Sequence, residues 1–585
     1  MNQSRQQATP IGKNCILLHL ALLGRKHRTS TRKPCAVVKS PTQGLAVDYR
    51  PFGNLTKEMG ANMTLSYASV HGRTPVLVGI GQHMEWGRSP AESLSPMGIA
   101  AAAGAAALKD TGAAERVSET LDALVSIRIF PDSWNRPRSP NPFGRAENPP
   151  YAIASRLGLN PELGVYGNVG GNTPQKYINE MASRIVGGEL KLAMVVGGEA
   201  LKTAQLARRE NLSLNWQESD SRPFEDRGIG ESLATAHEFA HGLGVPIQTY
   251  PLFESALRAQ AGHSLDTHLD AMAKMMKPFN AVAAGNPFAS YTEPRSVSEL
   301  ATVTDENRFI CLPYPKWLNA MDGVNQGAAV ILTSVDHARA LGINPKKWVF
   351  LHGCSEANEQ ILVSERVNYT SSPALGLNTR QALNMAGKKL DEIDYFDIYS
   401  CFPAAVAIAC DELGLDRQDQ RGLTVTGGLP FFGGPGNNYS MHAIASMVER
   451  LRKEPRAYGL VTANGGYLTK HASGVYSCEP YNEPWQLPDF QSLQSEVDGL
   501  KYPRFTERPA GQAIIEAYTV AFSKGEPGRA IIVGRLTAND ERFLANSIAD
   551  PELLRRFVDN DQVGRLGMVR AAQETGGETN IFVPQ

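Results

Sequence analysis

Asn168-Val-Gly-Gly-Asn-Thr-Pro-Gln175 runs into a helical pattern containing Ala182-Ser183 and then into the apolar stretch Leu192-Ala-Met-Val-Val-Gly-Gly198. The same order returns as Phe432-Gly-Gly-Pro-Gly-Asn-Asn438, a helical pattern containing Ala445-Ser446, and Tyr458-Gly-Leu-Val-Thr-Ala-Asn-Gly-Gly466. Gly170-Gly171 stand at the same offset from their Ala-Ser pair as Gly433-Gly434 from theirs. The chain therefore carries a duplicated loop, helix and strand unit, which predicts two similar halves facing each other with the glycine-rich loops meeting near one site.

Outward from the first unit, short apolar runs at 76–80 and 121–129 alternate with helical patterns around 97–108 and after Thr173. This alternation predicts an α/β sheet with helices on its faces. In the helix after Thr173, Tyr177, Ile178, Met181 and Ile185 recur at three- and four-residue spacing. Thr173 reads as its N-cap, Pro174 as its first residue and Gly187-Gly188 as its end. Residues 201–317 break the alternation and are richer in helical patterns. After Lys347 it resumes, with runs at 348–352 and 393–398, a helix around 379–386 and a close at 475–478. Beyond Glu479 a polar stretch leads to strand-like runs at 513–522, 529–536 and 563–569, interrupted by a short helix at 551–558, a pattern for a small barrel or sandwich. The expected organisation is a leader over 1–73, a first half over 74–344 that includes the excursion at 201–317, a second half over 345–480, a linker over 481–510 and a small β domain over 511–585.

Four motifs occur in order between Pro75 and Pro480: Val195-Val-Gly-Gly-Glu199, Asn325-Gln-Gly-Ala-Ala-Val-Ile-Leu332, Asp397-Ile-Tyr-Ser-Cys-Phe402 and Gly427-Gly-Leu-Pro-Phe-Phe-Gly-Gly-Pro435. They resemble, in turn, the GGxE segment, the NDGAAAVVL strand, the Asn-Glu-Ala-Phe or His-Asp-Cys-Phe motif and the GGxxxxGHP motif of the thiolase superfamily. With its C-terminal addition the chain looks most like thiolase-like protein type 1. The resemblance implies a duplicated five-layered αβαβα fold with a helical loop domain over 201–317, plus a small β-rich C-terminal domain similar to an oligonucleotide/oligosaccharide-binding fold. Fold likeness of that last domain does not imply a nucleic acid partner.

The resemblance also implies an acyl-CoA or another pantetheine thioester as substrate or ligand, acyltransferase chemistry and a place in lipid metabolism, with no cofactor beyond coenzyme A. The catalytic set departs from the family. Asn168 matches the Asn of the family's Asn-x-x-Cys run, but the nucleophile position reads Gly171 and the activating His position reads Gly434. The later Cys falls at Ala463 or Asn464, and the position that orients the oxyanion-hole water reads Tyr399. Cys401 stands where sterol-carrier-type thiolases keep an acid/base Cys. A Gly cannot form an acyl-enzyme, so ordinary thiolysis is not expected.

Cys401 and His471 are the candidates for proton transfer. Gly170, Gly171, Gly433, Gly434, Tyr399 and Asn464 are the candidates for the oxyanion loops, because helix N-termini leave backbone donors unpaired. Close helix packing, where only Gly fits, is the equal alternative for the glycine pairs. Buried apolar packing is the alternative for Cys401. Arg208, Arg209, Lys274 and Lys277 are candidates for coenzyme A phosphates. Three functions are open: an acyltransferase or lyase that works without an acyl-cysteine, a non-catalytic acyl-CoA-binding or complex-forming subunit, and, distantly, a zinc peptidase suggested by His237-Glu-Phe-Ala-His241. The last lacks a third His, and no metal is expected.

A net charge of -1 gives no basis for a nucleic acid partner. The early apolar run at 15–23 is far short of the roughly 20 residues of a spanning helix. Seven Cys without close pairing point to a reducing, cytoplasmic setting. No acidic residue precedes Asp48, while Arg5, Lys13, Arg25, Lys26, Arg28, Arg32, Lys33 and Lys39 do, a composition that resembles a transit peptide or an unstructured leader. A homodimer, a monomer and a heteromeric partner on the C-terminal domain are all open.

Overall fold

Strands buried on both faces are written as continuous apolar runs, and the computed structural model, which describes residues 65–134 and 142–585, follows those runs. The first half comprises β1 (Pro75–Met84), α1 (Pro96–Asp110), α2 (Ala114–Glu119), β2 (Ala123–Ser126), α3 (Pro149–Leu157), β3 (Leu163–Tyr166), α4 (Thr173–Gly187) and β4 (Leu192–Ala200). The excursion holds α5 (Leu201–Glu210), β5 (Glu225–Asp226), α6 (Ala236–His241), α7 (Pro246–Ala261), α8 (Leu265–Ala284), α9 (Val297–Ala301), β6 (Phe309–Cys311) and β7 (Tyr314–Pro315). The chain returns through β8 (Asn325–Ser334) and α10 (Val335–Ala340). The second half comprises β9 (Val349–Asn358), α11 (Pro373–Met385), β10 (Tyr395–Asp397), α12 (Pro403–Leu413), α13 (Tyr439–Lys453), β11 (Tyr458–Gly465) and β12 (Lys470–Ser477). After α14 (Phe490–Asp498) come β13 (Gly511–Ser523), β14 (Glu526–Leu536), β15 (Arg542–Ser547), α15 (Pro551–Asp559), β16 (Leu566–Arg570), α16 (Ala572–Thr575) and β17 (Ile581–Pro584).

Ten strands run in one order, β10-β11-β12-β9-β1-β8-β4-β2-β3-β5, and the halves join where Val76 pairs with Phe350 and Leu77 with Val349. The duplicated unit is present: each glycine-rich loop opens a 15-residue helix, α4 or α13, followed by β4 or β11. These two helices pack on each other and on strands of both halves, so they form the middle layer. On the outer faces, α1 covers β1, β4 and β8, while α11 covers β9 and β12. The result is the mixed α/β architecture expected, with helices outside and between two half-sheets.

The C-terminal strands close into a five-stranded barrel, β13-β14-β15-β17-β16, with β13 bonded to both β14 and β16. This barrel is stitched to the excursion. Cys311 of β6 pairs with Ala521, Thr519 donates its hydroxyl to the Leu312 carbonyl, and Arg258 of α7 donates to the Tyr518 hydroxyl. Arg542, fully buried, donates to both Glu516 carboxylate oxygens and to the Ser364 and Arg366 carbonyls.

Four boundaries differ from expectation. Residues 1–64 of the expected leader lie outside the described residues, but residues 65–73 pack on the core: the Tyr67 ring packs at a tilt against Trp348 and Val70 is buried. The polar stretch 481–510 is no bare linker, because Trp485 is buried with its indole N–H on the Leu351 carbonyl, and Leu493 and Val497 of α14 are buried. The cap of α4 is Asn172, while the Thr173 hydroxyl donates instead to the Gly170 carbonyl. Residues 201–317 are mainly helical, yet β6 leaves them to join the barrel sheet. Among the described residues no helix is long and apolar enough to cross a membrane.

Removing one partner of a buried ion pair strands the other charge, at a cost of about 3–5 kcal/mol. Arg542→Ala should lower unfolding stability by less than that in urea titration, about 1–3 kcal/mol, since the Ser364 and Arg366 carbonyls lose their donor while Glu516 keeps Arg535. A loss below about 1 kcal/mol would show that the Arg542 bonds are not what ties the barrel to the second half.

Candidate functional site

The two glycine-rich loops meet. The Gly170 amide donates to Asn437 Oδ1 at 3.1 Å and the Ser440 hydroxyl donates to the Gly171 carbonyl at 2.6 Å, so the two segments are bonded to each other. Asn437 Nδ2 reaches the Arg128 carbonyl, and Asn438 Nδ2 the Gly197 carbonyl at the end of β4. The amide of Gly170 is thereby spent inside the protein.

Gly171 is a packing position. A Cβ there would lie 2.3 Å from the Tyr399 hydroxyl and 2.5 Å from the Asn464 carbonyl oxygen, well inside contact distance. The phenol of Tyr399 thus fills the space that a side chain on Gly171 would need. Gly434 differs, because a Cβ there meets nothing nearer than the Met321 carbonyl at 3.5 Å. Tyr399 is held by its own amide, which donates to the Thr462 hydroxyl, and by the edge of Tyr439. Asp397, fully buried two residues before it, gathers the Val425 and Thr426 amides and the Thr424 and Thr426 hydroxyls on one oxygen. Burial still raises its pKa against those donors.

Cys401 is buried in the core formed by the second half and the excursion. Burial pushes its thiol up to about 12, against a hydrogen bond from the Tyr250 hydroxyl. That hydroxyl in turn accepts from Asn464 Nδ2 at 2.9 Å and from the Leu468 amide at 3.0 Å, and the Tyr250 ring stacks on Phe402. The thiol is therefore protonated at neutral pH. His471 is also buried, and burial, followed by the Arg366 charge, pushes it down to about 3. Its Nε2 donates to the Leu468 carbonyl at 3.2 Å, beside the Ser372 hydroxyl that bonds Glu359. No hydrogen bond joins Cys401 to His471 among the described residues. Tyr399, Asn464 and His471 share a narrow void too small for a water molecule.

The coenzyme A candidates are all exposed and lie on two helices. Arg208 and Arg209 belong to α5, where Arg208 lies over the Phe143 ring and Arg209 pairs with Glu210. Lys274 and Lys277 belong to α8, where Lys274 pairs with Asp270. In the HExxH run, Glu238 caps α6 by accepting the Thr235 amide and uses its other oxygen on the Ser364 amide. His241 donates from Nδ1 to the His237 carbonyl and accepts the Asn580 amide at Nε2. Those donor atoms serve a helix cap and the seam with the barrel.

Sequence reasoning missed Tyr250, Asn437, Ser440 and Glu199. The first three are ordinary polar residues whose partners lie more than 200 positions away, as with Tyr250 and Asn464. Glu199, the next-to-last residue of β4, is fully buried and accepts the Phe130 amide while its second oxygen has no partner among the described residues. Burial pushes it up to about 8, with Asp132 adding to the rise. Gly436, at φ +53°, is pressed against that carboxyl, so both the turn and the contact call for Gly.

A family model, thiolase-like protein type 1 additional C-terminal domain, matches residues 492–574. The crystal structure of a monomeric SCP2-thiolase like protein type 1 from Mycobacterium smegmatis is 36% identical, with a TM-score of 0.74 over 88% of this chain and 99% of that one. The chain belongs to the thiolase-like protein type 1 family. An Ltp2-ChsH2(DUF35) aldolase, at 18% identity and TM-score 0.51, covers 70% of this thiolase-like chain and 99% of its own. The acetyl-CoA acetyltransferase from Syntrophomonas wolfei, at 16% and 0.50, covers 69% and 99%. These two share the fold. A search of curated proteins finds no match.

Two outcomes test how this thiolase-like site is packed. Gly171→Ala should cost about 1–3 kcal/mol by overpacking, and Tyr399→Ser should recover only part of it because the Asn464 carbonyl stays in place. Gly434→Ala should melt close to the wild type. For Glu199, a folded pKa raised above its unfolded value means stability that is present below about pH 4.5 and lost as pH rises through about 8. Glu199→Gln should therefore match the wild type in urea at pH 5 and exceed it at pH 8 by a few kcal/mol at most, since each tenfold change in proton affinity is worth about 1.4 kcal/mol. A gap that does not change with pH would mean the carboxyl is ionised in the fold.

Proposed function

We propose that this protein binds an acyl-CoA or a related pantetheine thioester without performing cysteine-based thiolysis. The observation that carries the reading is Tyr399, whose hydroxyl stands where a nucleophile on residue 171 would have to be. Covalent acyl transfer needs an activated nucleophile within reach of its base. Here Gly171 and Gly434 supply neither, the Cys401 thiol is buried and protonated, and the His471 imidazole is buried and neutral. The thioester ligand is argued from the fold, which an acetyl-CoA acetyltransferase shares. Binding without turnover is the reading we favour, with the protein acting as a monomer, as its Mycobacterium smegmatis relative is described, or joined to a partner through the C-terminal domain. Five described cysteines are free, in keeping with a cytoplasmic setting.

Acyl transfer or carbon–carbon cleavage without an acyl-cysteine is the second reading. It is favoured by the chain Asn464, Tyr250, Cys401, in which a protonated thiol receives a phenol hydrogen bond, and by the fold shared with an aldolase.

Titration of the purified protein with acetyl-CoA, acetoacetyl-CoA and decanoyl-CoA should raise its melting temperature with at least one thioester. The same sample should release no acetyl-CoA from acetoacetyl-CoA and coenzyme A, and intact mass should show no acyl adduct. Sustained thiolysis with a trapped acyl group would overturn the reading.

A further inference from the structure

Lys470 opens β12 just after Gly465-Gly466, and the register sets it beside Asn358 of β9 and Gly465 of β11. Its side chain crosses to the first glycine-rich loop. A Cβ on Gly170 would meet the Lys470 Cδ at 3.6 Å, and the Lys470 Nζ donates to the Val169 carbonyl at 3.2 Å. That carbonyl is the one acceptor the amine has among the described residues, and among them no carboxylate lies within ion-pair distance of it. An ammonium carries three donors and no acceptor, so two are left over here. A neutral amine in the same place gives one N–H to Val169 and carries a free lone pair.

The surrounding charges favour that neutral form. Burial, and after it the charge of Lys176 in the first turn of α4, holds the Lys470 amine below the ordinary lysine value, with Glu231 opposing. Glu356 of β9 shares the sheet face with Lys470, because its partner Ala472 lies two residues further along β12. It accepts from Asn179 and is itself pushed up to about 7 by burial, against the Lys176 charge. Lys470 remains partly exposed. A lysine that is desolvated and set next to another cation is the form in which this side chain attacks carbonyl carbon. Lys176 has no ion-pair partner among the described residues and is free to hold an anionic group on the same molecule.

We propose that Lys470 is a carbonyl-capturing amine for an oxo acid, with Lys176 holding the acid group. The Lys470 Nζ adds to the ketone or aldehyde carbon and one amine proton passes to the carbonyl oxygen. The hydroxyl so formed leaves as water with the second proton, giving an imine and needing no oxidant or reductant. Once protonated, the imine draws electrons from the adjoining C–H or C–C bond. The inference goes beyond the thioester reading and does not rest on it.

Acetoacetate and sodium borohydride, added together to the full chain at neutral pH, test it. Borohydride reduces an imine to a stable secondary amine, so peptide mass spectrometry should find an adduct on Lys470 about tenfold or more above any other lysine. Lys470→Arg keeps the charge and a donor for Val169 yet should carry no adduct there, with a melting curve like that of the wild type. Trace acetylation with acetic anhydride across a pH series reads the amine itself. Lys470 should reach half its full reactivity at a lower pH than N-acetyl-lysine amide, and Lys176→Gln should move that midpoint up. A midpoint no lower than that of the free amine, or an adduct absent from Lys470 or spread evenly over exposed lysines, would overturn the proposal. Neither result bears on the thioester titration, so the two readings fail separately.

Discussion

The bond from the Gly170 amide to the Asn437 side chain joins two loops 267 positions apart, and the centre of the molecule is arranged around it. Each loop starts a helix, and a helix start exposes backbone donors that need partners when buried. Here Asn437 of the other loop takes the Gly170 amide, and Ser440 in the first turn of α13 donates its hydroxyl to the Gly171 carbonyl. The two helix starts of the middle layer are therefore bonded to each other, and α4 and α13 each touch strands of both half-sheets. The β1–β9 contact, only two residue pairs long, adds little beside that.

This arrangement has a chemical consequence. The Gly170 amide, just ahead of α4, is spent on Asn437, and Gly171 is covered by the Tyr399 phenol, so neither glycine faces a ligand. Tyr399 keeps its place because Asp397 pins the adjoining turn through four donors and Thr462 takes the Tyr399 amide. Gly171 and Tyr399 are thus coupled: a small residue at 399 would leave a void beside Gly171, and a side chain at 171 would clash with the Tyr399 phenol. Buried polar groups at high local density fix such an arrangement more firmly than apolar contacts do, since breaking one leaves its partner unpaired.

Much of the fold is legible in the sequence because it depends on period and order. The repeated loop, helix and strand, the helix at α1 and the run that becomes β4 are set by local spacing, and all are found. Some short elements were legible, as at 123–126, 395–397 and 566–570, and others were not. β15 and β17 have six and four residues, too few for a period to show, and α14 begins behind Asp489 in a stretch dominated by polar residues. At the site, the meeting of the two Gly-Gly loops is readable from the repeat, but the contact of Tyr399 with Gly171 is not, since no local pattern reports a neighbour more than 200 positions away. Arg208, Arg209, Lys274 and Lys277 show the reverse limit: charge type alone suggests phosphate, whereas Arg209 and Lys274 already have neighbouring carboxylates.

The HExxH run makes the clearest case for reading atoms rather than motifs. Its spacing places two imidazoles and a carboxyl on one short helix, which is what zinc chemistry needs and also what a domain seam needs. Glu238 reaches the second half through the Ser364 amide, His241 reaches the barrel through the Asn580 amide, and Asn546 of β15 returns a bond to the His241 carbonyl. Arg542 of the barrel donates to the Ser364 carbonyl, so residue 364 is gripped from two sides by groups belonging to different layers. The barrel is thus bonded both to the excursion and to the second half, next to the Tyr250 and His471 networks. An added domain held this way restrains the excursion that lies over the glycine-rich loops, and a site packed shut by Tyr399 is one that such restraint can keep shut.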